Sequence, residues 1–507
     1  MPPLSHDGNG IPRFTLRGFW RVSPPARKLP GDPEEDASAP AAAAHRRRPM
    51  RCLVSRLLGC SLLAWALCLP SAPPAEAQSA HRDGDGNITM AMVGDLIISR
   101  ALSVYDEPEF LRLRDLIRGA TVGLGNMEML LHQWEDDVIP AAQSGGTYMA
   151  AHPDMARELA WMGFDMLSLA NNHTMDYGEG GLRRTVQALA AAGIRAAGAG
   201  ENLAQARAPA YLDAKDGRVA LISVSSSFAE HMRAGHQRPD MRGRPGLSPL
   251  RFETTRIVPA QVYETLREVR TEVGLPAAYE PGPGYRVVTT LHEGDLEEVL
   301  AVIRDARRQA NWVVVTSHTH QGDGDRYVPA QALVTFARLA IEAGADAFYG
   351  HGPHVLRGIE IHQGKPIFYS LGDFIFQNET PLFQPWDNYQ AQGLGFDALP
   401  SDFYDARIRR SPAGSWPGQA FWWDGAMVLV EFRDGGLHEV RIVPVVLGYG
   451  LDRPQRGRPV AATGEDARRI LTLLQELSEP FGTRIEIVGD EGRIRAPATV
   501  GGGSRGR

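Results

Sequence analysis

Five apolar, strand-like runs in this chain each stop at side chains that can bind a metal ion or move a proton. The run "NITMAMVGD" ends in Asp95, and "TVGLGNME" ends in Asn126 and Glu128. "FDMLSLA" is followed by Asn171, Asn172 and His173; "NWVVVTSHTH" closes on His318 and His320, and "DAFYGHGPH" on His351 and His354. Carboxylates, amide carbonyls and imidazoles are the oxygen and nitrogen donors that suit Mn²⁺, Fe, Zn²⁺ or Mg²⁺. One or two such ions per chain are expected, and a pair about 3.5–4 Å apart polarises a phosphoester and generates hydroxide from water. The candidate donors are Asp95, Glu128, Asn172, His318 or His320, His351 and His354. His173 is then left to protonate a leaving group or to meet developing charge. Asp95 and Asn126 join it as candidates for the reacting centre. The plainer reading of "ANNHTMD" is an Asx-rich turn that caps the following helix.

These side chains need a scaffold that brings five strand ends together. The runs are short, apolar and unbroken, as strands buried on both faces should be. Between them lie helix-like stretches: "EPEFLRLRDLIRGA", "HPDMARELAWMG", "GGLRRTVQALAAAG", "LHEGDLEEVLAVIRDARRQA" and "VTFARLAIEAGA". Strands alternating with helices predict an α/β fold, and ligands of open α/β sheets sit at the carboxyl ends of the strands. Residues 230–285, rich in Arg, Pro and Gly, predict a long surface excursion. Beyond residue 378 the chain turns aromatic and irregular. "GAMVLVEFRDGGLHEVRIVPVVL" then predicts a hairpin turning at Asp434-Gly435-Gly436, and "GEDARRILTLLQELSEPFG" an amphipathic helix closed by Gly482.

The N-terminus reads differently. "RRRPMRCLVSRLLGCSLLAWALCLPSAPPAEA" has a basic stretch, a short apolar run, a proline break and a small-x-small site before Gln78, the layout of a secretory signal. Retention of this segment as an anchor is the alternative, although its apolar run is short for a membrane span. The three cysteines, Cys52, Cys60 and Cys68, all fall inside it. The mature chain therefore has neither disulfides nor thiol chemistry. Of 507 residues, those after 77 carry 43 Lys and Arg against 54 Asp and Glu, a net charge of −11. That balance argues against a nucleic-acid partner, which requires basic surface. No G-x-S-x-G elbow lies between a strand-like and a helix-like stretch, which speaks against a serine hydrolase.

The order and flanks of the motifs resemble the bacterial CapA family, the poly-γ-glutamate capsule biosynthesis proteins, a branch of the calcineurin-like metallophosphoesterases. The matching pieces are "MVGDLIISR", "GNMEMLL", "LANNHTMDYGEGGL", "VVVTSHTHQGD", "GHGPHVLRGIEIHQGKPIFYSLGDFIF" and "GRPVAATGEDARRILTLLQELSEPFGT", spread over residues 87–485. By this resemblance Asp95 corresponds to the first-strand metal aspartate and Glu128 to the bridging carboxylate. Asn172 and His173 correspond to the Asn-His pair, His320 to the lone strand-end histidine, and His351 and His354 to the final cluster. The chain departs from the pattern in several places. Asp95 has no following Asp-x-His histidine, Gly352 stands where family members often carry His, and Asp373 replaces the usual Asn after "YSLG".

The resemblance implies a four-layer α/β/β/α sandwich with a smaller, irregular C-terminal extension. The expected segments are 1–49, an unstructured or mis-assigned upstream stretch; 50–77, the signal peptide; 86–378, the core; 379–490, a C-terminal part completing it; and 491–507, a disordered tail. The signal layout implies an exported protein, periplasmic or extracellular, or held at the membrane by an uncleaved signal. Its role would lie in capsule or other envelope polymer synthesis, as a metal-dependent hydrolase or as a non-catalytic metal-containing subunit. The implied partners are an acidic or phosphorylated polymer and membrane-bound synthesis subunits.

Overall fold

Unbroken apolar runs become the inner strands of two sheets in a computed structural model that describes residue 84 and residues 86–495, apart from 145, 274–278 and 411–417. The segments 1–49 and 50–77 lie outside the described residues. The first sheet opens with β1 (Ile88–Ile97), α1 (Pro108–Gly119), β2 (Val122–Met127), α2 (Met155–Met162), β3 (Met166–Ser168), α3 (Gly178–Ala191) and β4 (Arg195–Ala197). The four strands pair in parallel in that order. α1 starts on Pro108, where a missing N–H costs nothing. It buries Phe110, Leu113 and Ile117, one face at helical spacing. α2 stops at Gly163, whose φ of 102° is left-handed.

The second sheet follows: β5 (Gly217–Ser225), α4 (Glu293–Gln309), β6 (Trp312–His318), α5 (Gln331–Ala343), β7 (Ala347–His351) and β8 (Lys365–Phe368). Its strands β5 to β8 are parallel neighbours within a six-stranded sheet. The chain then returns to the first sheet with β9 (Asp373–Phe376), β10 (Asp424–Arg433), β11 (Gly436–Val446), α6 (Gly464–Ser478) and β12 (Glu491–Arg495). β9 pairs in parallel with the end of β1, placing Asp373 opposite Asp95. β10 runs antiparallel beside β1 and β11 antiparallel beside β10, within a first sheet of ten strands.

Side chains alternate across β1 with the period of a strand. Ala91 and Val93 face a core that includes Phe110, Leu113 and Leu159 from α1 and α2. Met90 and Met92 face the other way, into a core shared with Val219, Val314 and Tyr349 of the second sheet. The opposite face of that sheet, with Val313, Val315 and Phe348, packs on Val299 and Ile303 of α4 and Phe336 of α5.

Residues 424–446, read as a hairpin, form two long antiparallel strands of the main sheet, with Met427, Val428 and Val430 fully buried. Their turn has Asp434 and Gly435 at φ of 50° and 76°, as a tight two-residue hairpin requires. Residues 491–495 are not tail: they pair with β11, and Glu491 bridges to Arg441 at 2.8 Å and Arg112 at 2.7 Å. Residues 496–507 lie outside the described residues. The stretch 230–285 is also more than an excursion. It carries a helix, Ala260–Val273, and contributes Phe252–Val258 and Tyr279–Pro281 to a three-stranded sheet with Arg286–Leu291.

Candidate metal centre

Parallel pairing puts the carboxyl ends of β1, β2, β3, β6 and β7 on common sheet edges, where the sequence has its polar residues. β1 bulges between Met92 and Asp95, a device that re-aims side chains. Gly94 makes the bulge possible, because a Cβ there would collide with the Gly372 carbonyl. The Asp95 amide donates to that same carbonyl at 3.1 Å.

Asp95 is fully buried at the centre of the cluster. Its Oδ1 accepts from Asn126 Nδ2 at 2.7 Å, and its Oδ2 from the Gly352 amide at 2.8 Å. His351 Nδ1 lies 3.4 Å from Oδ1, and His318 Nδ1 lies 3.8 Å from it. Burial alone would raise this carboxyl, but the hydrogen bond and charge of His351, with His318 and His354, hold it well below the usual range. Gly352 has φ of 105°, and a Cβ there would lie 2.9 Å from His318 Nε2. That accounts for glycine at this position in this chain.

Glu128 is also fully buried, and neither of its oxygens has a hydrogen-bond partner among the described residues. Around Oε1 stand three imidazole nitrogens: His318 Nε2 at 3.7 Å, His354 Nε2 at 3.8 Å and His173 Nε2 at 3.9 Å. Burial first, then the charges of Asp95 and Asp373, lifts the Glu128 carboxyl well above its ordinary range. An orphaned buried carboxylate ringed by imidazoles beyond hydrogen-bond reach fits a divalent cation, which would satisfy all of them at once. His351 Nε2 is likewise buried with no partner among the described residues.

Ligand atoms converge in three groups, each within 4.8 Å: Asp95, His318 and His351; Glu128, His318 and His320; and Asp95, Glu128, His354 and Asp373. His318 sits between its neighbours, with Nδ1 3.0 Å from His351 Nδ1 and Nε2 3.0 Å from His320 Nε2. Burial pushes the His318 imidazole well below its ordinary value, and the neighbouring His320 adds to this. A neutral imidazole is the ligating form. His320 occupies the exposed rim. His354, held at φ of 56°, donates Nδ1–H to Asp373 Oδ1 at 2.8 Å and turns Nε2 toward Glu128. Burial would lower this imidazole, but the Asp373 charge and hydrogen bond hold it up, to about 8. A carboxylate behind an imidazole in this way fixes the tautomer of a metal ligand.

The Asn-His stretch does not cap α3, whose N-cap residue Tyr177 makes no side-chain capping bond. Instead Asn171 accepts from the His173 amide at 3.0 Å and donates to Asn126 Oδ1 at 3.2 Å and the Met127 carbonyl at 2.8 Å. Asn172 and His173 are buried, each 5% exposed. Asn126 touches Asp95, His318 and Asn171, the surroundings of a residue that orients others. Sequence reasoning left Asp373, Asp176 and Arg357 off the candidate set. Asp176 orients His173 at 2.6 Å. Arg357, fully buried, donates to the Thr319, His320 and Arg326 carbonyls and fixes the turn after His318.

The family described as bacterial capsule synthesis protein PGA_cap matches residues 89–378. An uncharacterized protein of Sinorhizobium fredii is 35% identical over 433 residues, 80% of this chain and 93% of its own length. A probable polyglutamine synthesis accessory protein of Mycobacterium tuberculosis is 33% identical over 44% of this chain and 48% of its own. Capsule biosynthesis protein CapA of Bacillus anthracis is 26% identical over 60% of this chain and 62% of its own. Among solved structures, NAD nucleotidase of Haemophilus influenzae overlaps 77% of this chain and 56% of its own at 11% identity. Its TM-score is 0.30, too slight a likeness to bear on the site. The chain therefore belongs to the PGA_cap family of bacterial capsule synthesis proteins, within the calcineurin-like metallophosphoesterase superfamily.

Proposed function

We propose that this chain is an exported, metal-dependent hydrolase of phosphoester or polymer linkages, acting in the synthesis of poly-γ-glutamate capsule or another envelope polymer. The observation that carries the reading is the orphaned Glu128 carboxylate, facing His173, His318 and His354 at 3.7–3.9 Å. The reading takes the fold as a four-layer α/β/β/α sandwich, supported by the three cores between helices and sheets. Export is supported by the signal-like stretch before Gln78, and the polymer by the names of the Mycobacterium and Bacillus relatives.

Asp95, Glu128, Asn172, His318, His320, His351 and His354, with Asp373 behind His354, are the residues that would hold one or two divalent ions. Bound there, the ions would polarise the scissile group and lower the pKa of water. The chain's own part is positioning and proton handling. Asn126 and the Gly352 amide hold the Asp95 carboxylate still. His173, with Nδ1 tied to Asp176, presents Nε2 toward Glu128, where a leaving group could take its proton. The second reading, a metal-containing subunit that binds acidic polymer without cleaving it, takes its support from the word "accessory" in a relative's name.

Metal analysis of protein purified without chelators, followed by a screen of phosphodiesters and phosphomonoesters, tests the proposal. Stoichiometric divalent metal and turnover on at least one ester are expected. Replacing His351 and His354 together with Ala should strip the metal. Unchanged metal content in that variant would reject the site, and metal without turnover would favour the subunit reading.

A further inference from the structure

The chain that leaves the strands of the metal cluster leads into a second feature. The segments after β1, β2 and β9 carry Ser99, then His132 and Trp134, then Thr380 and Phe383. These continuations line one cavity of about 570 Å³, a volume within the range of small-molecule sites. Among the described residues that line it, none is Asp, Glu, Lys or Arg.

The walls are aromatic. The Trp134 and Phe383 rings meet edge to face with centroids 5.2 Å apart, and both keep about half their surface open, 51% and 57%. The polar groups are few, and two of them, Gln133 Nε2 and His152 Nε2, meet at 3.0 Å. Ser99 Oγ and Thr380 Oγ1 lie 2.6 Å apart. His132 is only 5% exposed, and its Nδ1 donates to the Gln133 carbonyl at 2.7 Å. That bond leaves Nε2 as an acceptor, buried and without a partner among the described residues. Such an acceptor is costly unless a donor reaches it. The wall is also preformed. The Tyr177 hydroxyl donates to the Phe383 carbonyl at 3.4 Å, the Tyr177 ring packs on His132 at 4.6 Å, and Gln384 exchanges two bonds with the Tyr148 backbone at 3.0 and 2.8 Å.

The geometry points to a subsite for a neutral, hydroxylated sugar ring, beside the metal cluster but separate from it. A phosphate or carboxylate would meet no Lys or Arg among the described lining residues, and a purely apolar ligand would leave His132 Nε2 unanswered. A sugar offers an apolar C–H face to Trp134 and Phe383 and hydroxyl donors to Nε2, with Ser99 and Thr380, whose own hydrogens go to each other and to the Gln377 carbonyl, able to accept. As a binding site it stands alone; as a substrate subsite it rests on the metal-centre reading.

The test is calorimetric titration of the full chain with maltose, cellobiose and N,N′-diacetylchitobiose, before and after chelator treatment. Glucose 6-phosphate and short oligoglutamate serve as charged controls. At least one neutral disaccharide should saturate a single site, with affinity unchanged by the chelator. Trp134→Ala should weaken it about tenfold, Trp134→Phe should restore most of the loss, and His132→Asn should weaken it by a similar factor. If Trp134→Ala does not fold, Phe383→Ala at the exposed wall makes the same measurement. No binding of any of the three up to about 10 mM, binding indifferent to both aromatic changes, equal binding of the charged controls, or loss of binding with the metal would each overturn the proposal. A chain that holds no metal yet binds the disaccharide would sink the metal centre alone.

Discussion

His173 Nδ1 lies 2.6 Å from Asp176 Oδ2, and the other nitrogen of the ring lies 3.9 Å from Glu128 Oε1. Asp176 is fully buried, and its Oδ2 also accepts the Met149 amide at 2.9 Å. A carboxylate that accepts from an amide and an imidazole fixes the proton on Nδ1. Nε2 is then the atom free to exchange a proton at the cluster. The pair therefore does for His173 what Asp373 does for His354, but His173 stands outside the three convergent ligand groups.

The consequence for kinetics is specific. His173→Ala should keep near-normal metal content and melting temperature, yet lower kcat at least about a hundredfold on whichever ester the screen identifies. Esters with very good leaving groups should lose less, because they need no proton. Asp176→Asn should lower kcat in the same direction by releasing the tautomer. Equal losses across good and poor leaving groups would remove His173 from the acid role, and no loss would return the stretch to a structural turn.

Stability at low pH should depend on Asp295, which belongs to none of the three ligand groups. Its buried carboxylate accepts from Arg251 Nε and Nη2, both at 2.8 Å, from the Arg251 amide at 2.9 Å and from Arg207 Nη2 at 3.0 Å. Burial alone would raise this group, but the Arg251 bonds and the charges of Arg251 and Arg207 hold it below its ordinary value of 3.8. As pH falls, the unfolded chain takes up the proton first. The contribution is therefore complete above about pH 4 and is lost as pH falls toward the native value. Asp295→Asn should destabilise by about 3 kcal/mol near neutrality. Urea unfolding at about pH 7, 5 and 3.5 should show the gap to wild type shrinking only at the lowest value. A constant gap would rule out the linkage.

Export is checked at the N-terminus. Protein recovered from the periplasm or medium should begin near Gln78, with Cys52, Cys60 and Cys68 removed. Full-length chain confined to the cytoplasm would reject the signal, and full-length chain in the membrane fraction would favour an uncleaved anchor.

What could be read ahead of the structure was whatever local pattern encodes. Asp95, Glu128, Asn172, His318 and His351 stood out because an unbroken apolar run stops just before each. Asp373 did not, because "SLGDFIF" reads straight through as a strand. Its importance comes from pairing opposite Asp95 across nearly three hundred residues, which no local pattern contains. Arg357 carries no signal either, since a fully buried arginine bonded to backbone carbonyls looks in sequence like any surface arginine. Phe252–Val258 and Arg286–Leu291 escaped because their half-exposed strands lie among Arg, Pro and Gly, which read as loop. β12 escaped because it is short and charged, held by ion pairs to Arg441 and Arg112 rather than by an apolar run.

Glu128 offers the sharpest separation between a ligand and a structural carboxylate. In the metal-free chain its carboxyl is buried without hydrogen bonds among the described residues, where burial and the charges of Asp95 and Asp373 disfavour the ionised form. Glu128→Gln keeps the shape, removes the charge, and supplies N–H donors to a space bounded by His173, His318 and His354. Treated with chelator, the variant should therefore melt at or above the temperature of wild type. With metal added to about a hundredfold over its Kd, wild type should gain about 2.7 kcal/mol by mass action, and the variant should gain less. The order of stability then reverses between the two conditions. A carboxylate present only for structure would leave the variant weaker in both. An equal metal-induced gain in the two proteins would show that Glu128 binds no ion.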